Sequence, residues 1–308
     1  MRGAAFLGTF LVAAAAVAQT PPRVVATILP VHGIAAAVME GVGEPALLLE
    51  PGASPHSYSL RPSQAAMLEE ADLVLWVGPG FEAFLTGPLE TLGAGGHRLA
   101  LAEVAGVERL GFREGAMFED HAAAGHGHEE AHEHAHGGFD SHVWLSPANA
   151  RVMAQAMAAE LGQIDPANAE RYAANAAAFG TALDTTEAEV EALVVPVRGR
   201  PFVVFHDAYH YFEHAFDIEA AGAIQVNPEL QPGAARIAEI QERLGELEVA
   251  CVFTEPQFEP RLVATLIEGT KARTGVLDPL GVALEPGPRA YHELLLGLAR
   301  NLAECLAD

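Results

Sequence analysis

Apolar positions along this chain fall into short β-branched runs separated by longer stretches with helical spacing, and the alternation persists over most of its length. RVVATIL (23–29) reads as strand and 33–40 as helix; ALLL (46–49) is strand, and PSQAAMLEEA (62–71) is helix with Pro62 in its first turn. LVLWV (73–77) is strand, 82–92 helix and 97–101 a short strand. Residues 143–145 read as a further short strand, after which Ser146-Pro147 opens a helix through ARVMAQAMAAEL. The longest helical stretch is PANAERYAANAAAFGTALDTTEAEVEALVV (166–195), rich in Ala and Glu and without proline after its start. Thirty helical residues would extend about 45 Å, enough to cross a domain.

After Pro196 the alternation resumes. PFVVF, AAGAIQ, VACVFT and GVL read as strands; DAYHYFEHAF, GAARIAEIQERLGEL, PRLVATLIEGTKART and RAYHELLLGLARNLAECL read as helices. The pattern predicts an α/β protein: two β/α lobes with parallel sheets, joined by one long helix. The expected divisions are 19–163 for the first lobe, 164–196 for the linker helix and 197–308 for the second lobe.

Composition adds the compartment and the class of ligand. The opening MRGAAFLGTFLVAAAAVAQT has a basic start at Arg2, an apolar run over 4–17 and an A-x-A arrangement at Ala16 and Ala18, the pattern of a cleavable secretory signal spanning 1–18. No cysteine lies near the cleavage point to carry a lipid, and no later segment is apolar enough to span a bilayer, so a soluble exported protein is expected. The net charge is −24 over 308 residues, which disfavours nucleic acid and anionic lipid and favours cations. The two cysteines, Cys251 and Cys305, form an even pair that export would oxidise to a disulfide, the alternative being two buried thiols.

Ligands of parallel sheets bind beyond the strand carboxyl ends. Four polar residues stand at such stations: His56 after ALLLEPGASP, His142 in FDSHVWLSP, His206 directly after PFVVF, and Asp278 after GVL. Two belong to each lobe, so a cleft between lobes would bring them together. Three imidazoles and a carboxylate make an N3O set suited to tetrahedral Zn²⁺. His210 and His32 are weaker candidates for this cleft, while His97, His214 and His292 read as surface or packing residues.

The segments EPGASPHSYSLRPSQ (50–64), DSHVWLSP (140–147), FHDAYHYF (205–212) and LDPLG (277–281) resemble the ligand segments of the zinc and manganese substrate-binding proteins of ABC importers, the cluster A-I or cluster 9 family. The likeness runs in order over nearly the whole mature chain. It implies two four-stranded lobes on a rigid helix, His56, His142 and His206 as metal ligands, and Asp278 as fourth ligand or as a nearby carboxylate leaving that place to water. Manganese-type relatives place a carboxylate where His206 stands, and imidazole suits Zn²⁺ better than Mn²⁺. The glutamate that some zinc members carry before the first histidine is Pro55 here. The resemblance also pairs Cys251 with Cys305. It implies a monomeric periplasmic protein that captures Zn²⁺ as cargo and delivers it to a membrane ABC permease, with a periplasmic zinc chaperone as a further candidate partner. The alternatives are a manganese or broad-specificity receptor and, from another class, a zinc hydrolase using the same residues. A hydrolase needs a general base beside the metal, and no glutamate outside the loop stands out for that task.

One motif points elsewhere at first sight. HGHEEAHEHAH (126–136) contains His-Glu-x-x-His twice, the pattern of zinc peptidases. A peptidase helix needs an apolar face to hold its two histidines, and this stretch has only alanine, with Gly125, Gly127, Gly137 and Gly138 around it. The expectation is a loop over 121–138 in which His121, His126, His128, His132, His134 and His136 bind metal weakly, as histidine-rich tracts do. Zinc-type members of the family often carry such a loop.

Overall fold

A computed structural model describes residues 20–92, 96–113, 138–225, 233–258 and 261–307. The proposed signal stretch and all six loop histidines lie outside the described residues.

The first lobe runs β1 (Val24–Ala26), α1 (Leu29–Val38), β2 (Ala46–Leu47), α2 (Pro62–Glu69), β3 (Leu73–Trp76), α3 (Thr86–Thr91) and β4 (His97–Ala100). Two helices follow, α4 (Pro147–Ile164) and α5 (Ala169–Val194), and then β5 (Phe202–His206), α6 (His210–Phe216), β6 (Gly222–Gln225), α7 (Ala234–Glu246), β7 (Cys251–Thr254), α8 (Arg261–Leu266), β8 (Arg273–Val276) and α9 (Ala290–Leu306). The strands form two four-stranded sheets, β2-β1-β3-β4 and β6-β5-β7-β8, with all pairings parallel. Both sheets thus have the same order, as the repeated β/α pattern anticipates. Among the described residues no helix is long and apolar enough to cross a membrane.

The long helix is shorter than its pattern. It covers 26 residues, with 3-10 turns at Pro166–Asn168 and Val195–Val197, so it extends about 39 Å. Proline at either end lacks the N–H that would continue the α-helical ladder. Its buried residues Tyr172, Ala176, Phe179, Leu183, Thr186, Val190 and Val194 recur every three or four positions and make one continuous stripe. That stripe serves both lobes: α5 packs on α4 and α1 and also on α9.

Two expectations need correction. Residues 143–145 form a 3-10 turn and not a strand; all three are fully buried, and a three-residue apolar run has no period to separate the two forms. The turn feeds α4, whose first amides are capped by Ser146 Oγ accepting from Asn149 N at 3.2 Å. In the second lobe the helix expected over 260–274 stops at Leu266, because Gly269 adopts a left-handed φ of 82° and the chain straightens into β8.

A single apolar core spans the first lobe, one face of the second sheet and α9, while the other face of that sheet forms a smaller core with α7 and α8. Phe202 and Val204 belong to the first core, Val203 and Phe205 to the second, as strand alternation requires. The lobes are therefore welded over much of their length. Gly33 of α1 marks a close helix–helix approach: a Cβ there would lie 2.9 Å from the backbone nitrogen of Tyr291 on α9. Cys251 and Cys305 are joined in a disulfide that ties β7 to α9.

Candidate metal centre

Strand parity aims the first residue of the site. His206 continues the inward series Phe202, Val204 and so faces the shared core and the first lobe. Parallel pairing of β5 with β7 sets Phe202 opposite Cys251 and Val203 opposite Val252, and the same register carried forward brings Glu255 beside His206. The Glu255 carboxylate accepts from His206 Nδ1 at 2.7 Å, and both side chains are buried.

His142 caps the 3-10 turn before α4 and is oriented in the same way. Asp140 Oδ1 accepts from the backbone N of His142 at 3.0 Å and from its Nδ1 at 2.7 Å. With both Nδ1 atoms held by carboxylates, each imidazole is left with Nε2 as its free donor, the arrangement that raises ligand basicity in metal sites. The two Nε2 atoms lie 3.4 Å apart. Two donors on one tetrahedral Zn²⁺ would be separated by about 3.3 Å, given Zn–N of about 2.05 Å.

His56 arrives from the loop after β2. Buried Gln64, on α2, fixes that loop by donating to Leu48 O at 2.6 Å and accepting from Arg61 N at 2.9 Å. The His56 ring lies 5.9 Å from that of His142 and 5.8 Å from that of His206. One nitrogen from each of the three rings falls within 4.8 Å of the others. Phe81 stands edge-on to His56 and His142, and Trp144 donates its indole N–H to Pro279 O at 2.9 Å. The pocket they line, with His56 exposed at its edge, measures about 10 Å³, the scale of one water molecule or one ion.

The electrostatics of the set are uneven. Burial of its ring in the pocket pushes the His56 imidazole down, helped by the neighbouring His142 and His206 rings, although the residue as a whole is exposed. Burial pulls on His206 in the same direction, but the Glu255 carboxylate, with Asp207 and Asp140 behind it, outweighs burial and raises it above the usual range. The site thus favours a neutral His56, while the Glu255 carboxylate opposes the effect of burial at His206.

The fourth residue expected here, Asp278, is not in the cluster. Its Oδ1 accepts from Leu280 N at 3.1 Å, Gly281 N at 2.9 Å and Gln257 Nε2 at 3.0 Å, and its Oδ2 from Val282 N at 2.6 Å. It organises the turn after β8, and Pro279 and Leu280 reach the pocket in its place. His32, on α1, donates from Nε2 to Pro45 O at 3.0 Å; His210 sits at the start of α6 outside the cluster; His97 pairs with Glu160, His292 with Thr186, and His214 lies 3.8 Å from Glu108. Asp140 and Glu255 were the residues missed. Both carried a signal, since Asp140 stands two positions before a candidate ligand and Glu255 directly follows VACVFT, the station used to select the histidines. Glu255 is also the acid a hydrolase would need, but its Oε1 is engaged by His206 Nδ1.

Comparison with known proteins identifies the family. The model of the ZnuA family, zinc-uptake complex component A, periplasmic, matches residues 24–305. The high-affinity zinc uptake system protein ZnuA of Brucella suis is 45% identical over 305 residues, covering 92% of this chain and 91% of the relative. The ZnuA protein of Yersinia pestis is 39% identical, covering 92% and 91%. A crystal structure of ZnuA superposes with a TM-score of 0.78 at 25% identity, covering 93% of this chain and all of that one. The chain belongs to the periplasmic zinc-uptake complex component A family, whose members are zinc-binding transport components and not enzymes.

Proposed function

We propose that His56, His142 and His206 hold the transported Zn²⁺, with water completing the tetrahedron and Asp278 shaping the wall beside it. The observation that carries this reading is the convergence of three imidazole nitrogens within 4.8 Å, two of them on rings whose other nitrogen is held by a buried carboxylate. Nitrogen donors favour Zn²⁺ over Mn²⁺, and the cavity suits a single ion.

In this reading the chain is exported by the signal at 1–18 without a lipid anchor, and acts as a monomer whose lobes, 19–163 and 197–308, are joined through 164–196. It passes its cargo to a membrane ABC permease and accepts it from free solution or from a periplasmic zinc chaperone. The histidines at 121–136 add weak sites that gather zinc but do not form the tight one.

Metal analysis of protein purified without chelator or affinity tag tests the core of this: about one equivalent of zinc per chain is expected, displaced poorly by excess Mn²⁺. Deleting residues 121–136 should remove only weak additional binding. Loss of the tight equivalent on that deletion would mean the roles of loop and cleft are reversed.

A further inference from the structure

His56 and His142 come from the first lobe and His206 from the second, so parting the lobes around the pocket would break the set. The shared apolar core and the α1–α9 contact at Gly33 oppose wide opening, so parting is confined to the polar segments around the pocket. Two of these segments flank residues 114–137, and both are bonded to the second lobe.

The first contact is Arg113, a residue with only 12% of its side chain exposed. Its guanidinium forks onto two carboxylates of the second lobe. Nε donates to Asp207 Oδ1 and Oδ2 at 3.1 Å each, and Nη2 also donates to Asp207. Nη1 and Nη2 donate to Glu213 at 2.6 and 3.1 Å. Asp207 is the residue after His206, and Glu213 lies on α6 with its Oε2 also accepting from Ala220 N.

The second contact is Tyr211, almost wholly buried on α6. Its hydroxyl accepts from Leu110 N at 2.9 Å and donates to Asp140 O at 2.8 Å. Leu110 and Asp140 are themselves paired, Asp140 N donating to Leu110 O at 2.8 Å. Asp140 is the carboxylate that orients His142. Two contacts therefore tie residues 110–113 and 140, beside His142, to residues 207–213, which follow His206.

We propose that these segments form a clasp across the lobes, in which Arg113 and Tyr211 are positioning residues that hold His142 and His206 at ligating separation and set the rate at which zinc leaves. The inference rests on the three-histidine reading. The fork suits the task, since a planar guanidinium held by two carboxylates, Glu213 buried and Asp207 partly so, resists displacement in a way that a single flexible ammonium does not. Neither residue touches the metal.

The test is stopped-flow release of Zn²⁺ into excess chelator from the full chain, comparing the parent with Arg113→Lys and Tyr211→Phe. Arg113→Lys should release zinc about tenfold faster and Tyr211→Phe about threefold faster, with association rates changed less than twofold. Co²⁺-loaded variants should keep the parent's ligand-field band positions, because the donors are unchanged. Folded variants whose release rates stay within twofold of the parent would overturn the clasp, as would lower melting temperatures without faster release. Should Arg113→Lys lose its cooperative melt, Tyr211→Phe, which lacks a single hydroxyl, decides alone by the same threefold criterion. A His206→Ala variant that binds zinc as tightly as the parent would instead remove the three-histidine reading, and the clasp with it.

Discussion

Replacing Glu255 with glutamine tests whether the carboxylate behind His206 tunes the metal site or merely fills space. The bond it makes is short, at 2.7 Å, and solvent barely reaches it: the side-chain exposures are 1% for Glu255 and 5% for His206. Glutamine retains an oxygen that accepts from Nδ1 but loses the charge, which removes about half the strength of a charge-assisted bond. Loss of such a partner lowers metal affinity by about 10- to 100-fold, or about 1.4 to 2.8 kcal/mol; glutamine should fall near the lower limit and Glu255→Ala near the upper. The pH profile supplies a second signature. Burial pulls His206 down and Glu255 is the largest influence raising it, so in the variant burial prevails and the imidazole protonates only at lower pH. Zinc competes with that proton, so affinity should fall less steeply with falling pH in the variant even as affinity at pH 8 drops about tenfold. Competition with a chromophoric chelator between about pH 5 and 8, spanning the ordinary histidine range, measures both. Unchanged affinity at pH 8, or a steeper fall with pH than in the parent, would refute the orienting role.

Other perturbations follow from the same structure. His56→Ala, His142→Ala and His206→Ala should each weaken tight zinc binding more than about tenfold, measured by the same competition, because each removes one of three donors. Gly33→Ala should lower stability by about 1–3 kcal/mol in denaturant melts, since its methyl group would meet the Tyr291 backbone and neither helix can give way without parting the lobes. Reducing the Cys251–Cys305 disulfide releases a sequence separation of 54 residues, a loss of about 4 kcal/mol by chain entropy. Melting with and without reductant reads that loss, while zinc stoichiometry should stay the same.

The strand-helix alternation was legible because the two periods differ and because nearly every strand ends in a turn signal. Boundaries failed where a local conformation overrode the period, at Gly269 and in the buried 143–145 turn. His56, His142 and His206 were legible from one rule, that polar residues just past apolar runs lie at the mouth of a parallel sheet. Asp278 satisfied the same rule and yet faces its own turn. Four donors, three of them backbone amides of residues 280–282, take up its oxygens, and a rule about station contains nothing about which way a short side chain turns. Glu255 shows the converse. Its role depends on lateral pairing, 49 positions apart, and no reading of single strands reveals a neighbour across a sheet.

That lateral pairing also explains why a three-histidine set resembling a hydrolase centre serves capture. A hydrolytic zinc site needs an acid free to take a proton from bound water and space for a substrate beside the metal. Here one oxygen of Glu255 is held by His206 Nδ1 and one of Asp140 by His142 Nδ1, so each acid stands on the far side of its imidazole from the converging Nε2 atoms, and a pocket of about 10 Å³ flanked by Phe81, Trp144 and Phe258 leaves little space for a substrate. Both acids orient an imidazole. Such an arrangement makes the imidazoles better donors, which suits holding a cation. The histidine repeat at 126–136 has the letters of a catalytic motif but no apolar face to fix them, whereas the three histidines that converge owe their placement to strand parity, a helix cap and a glutamine-pinned loop.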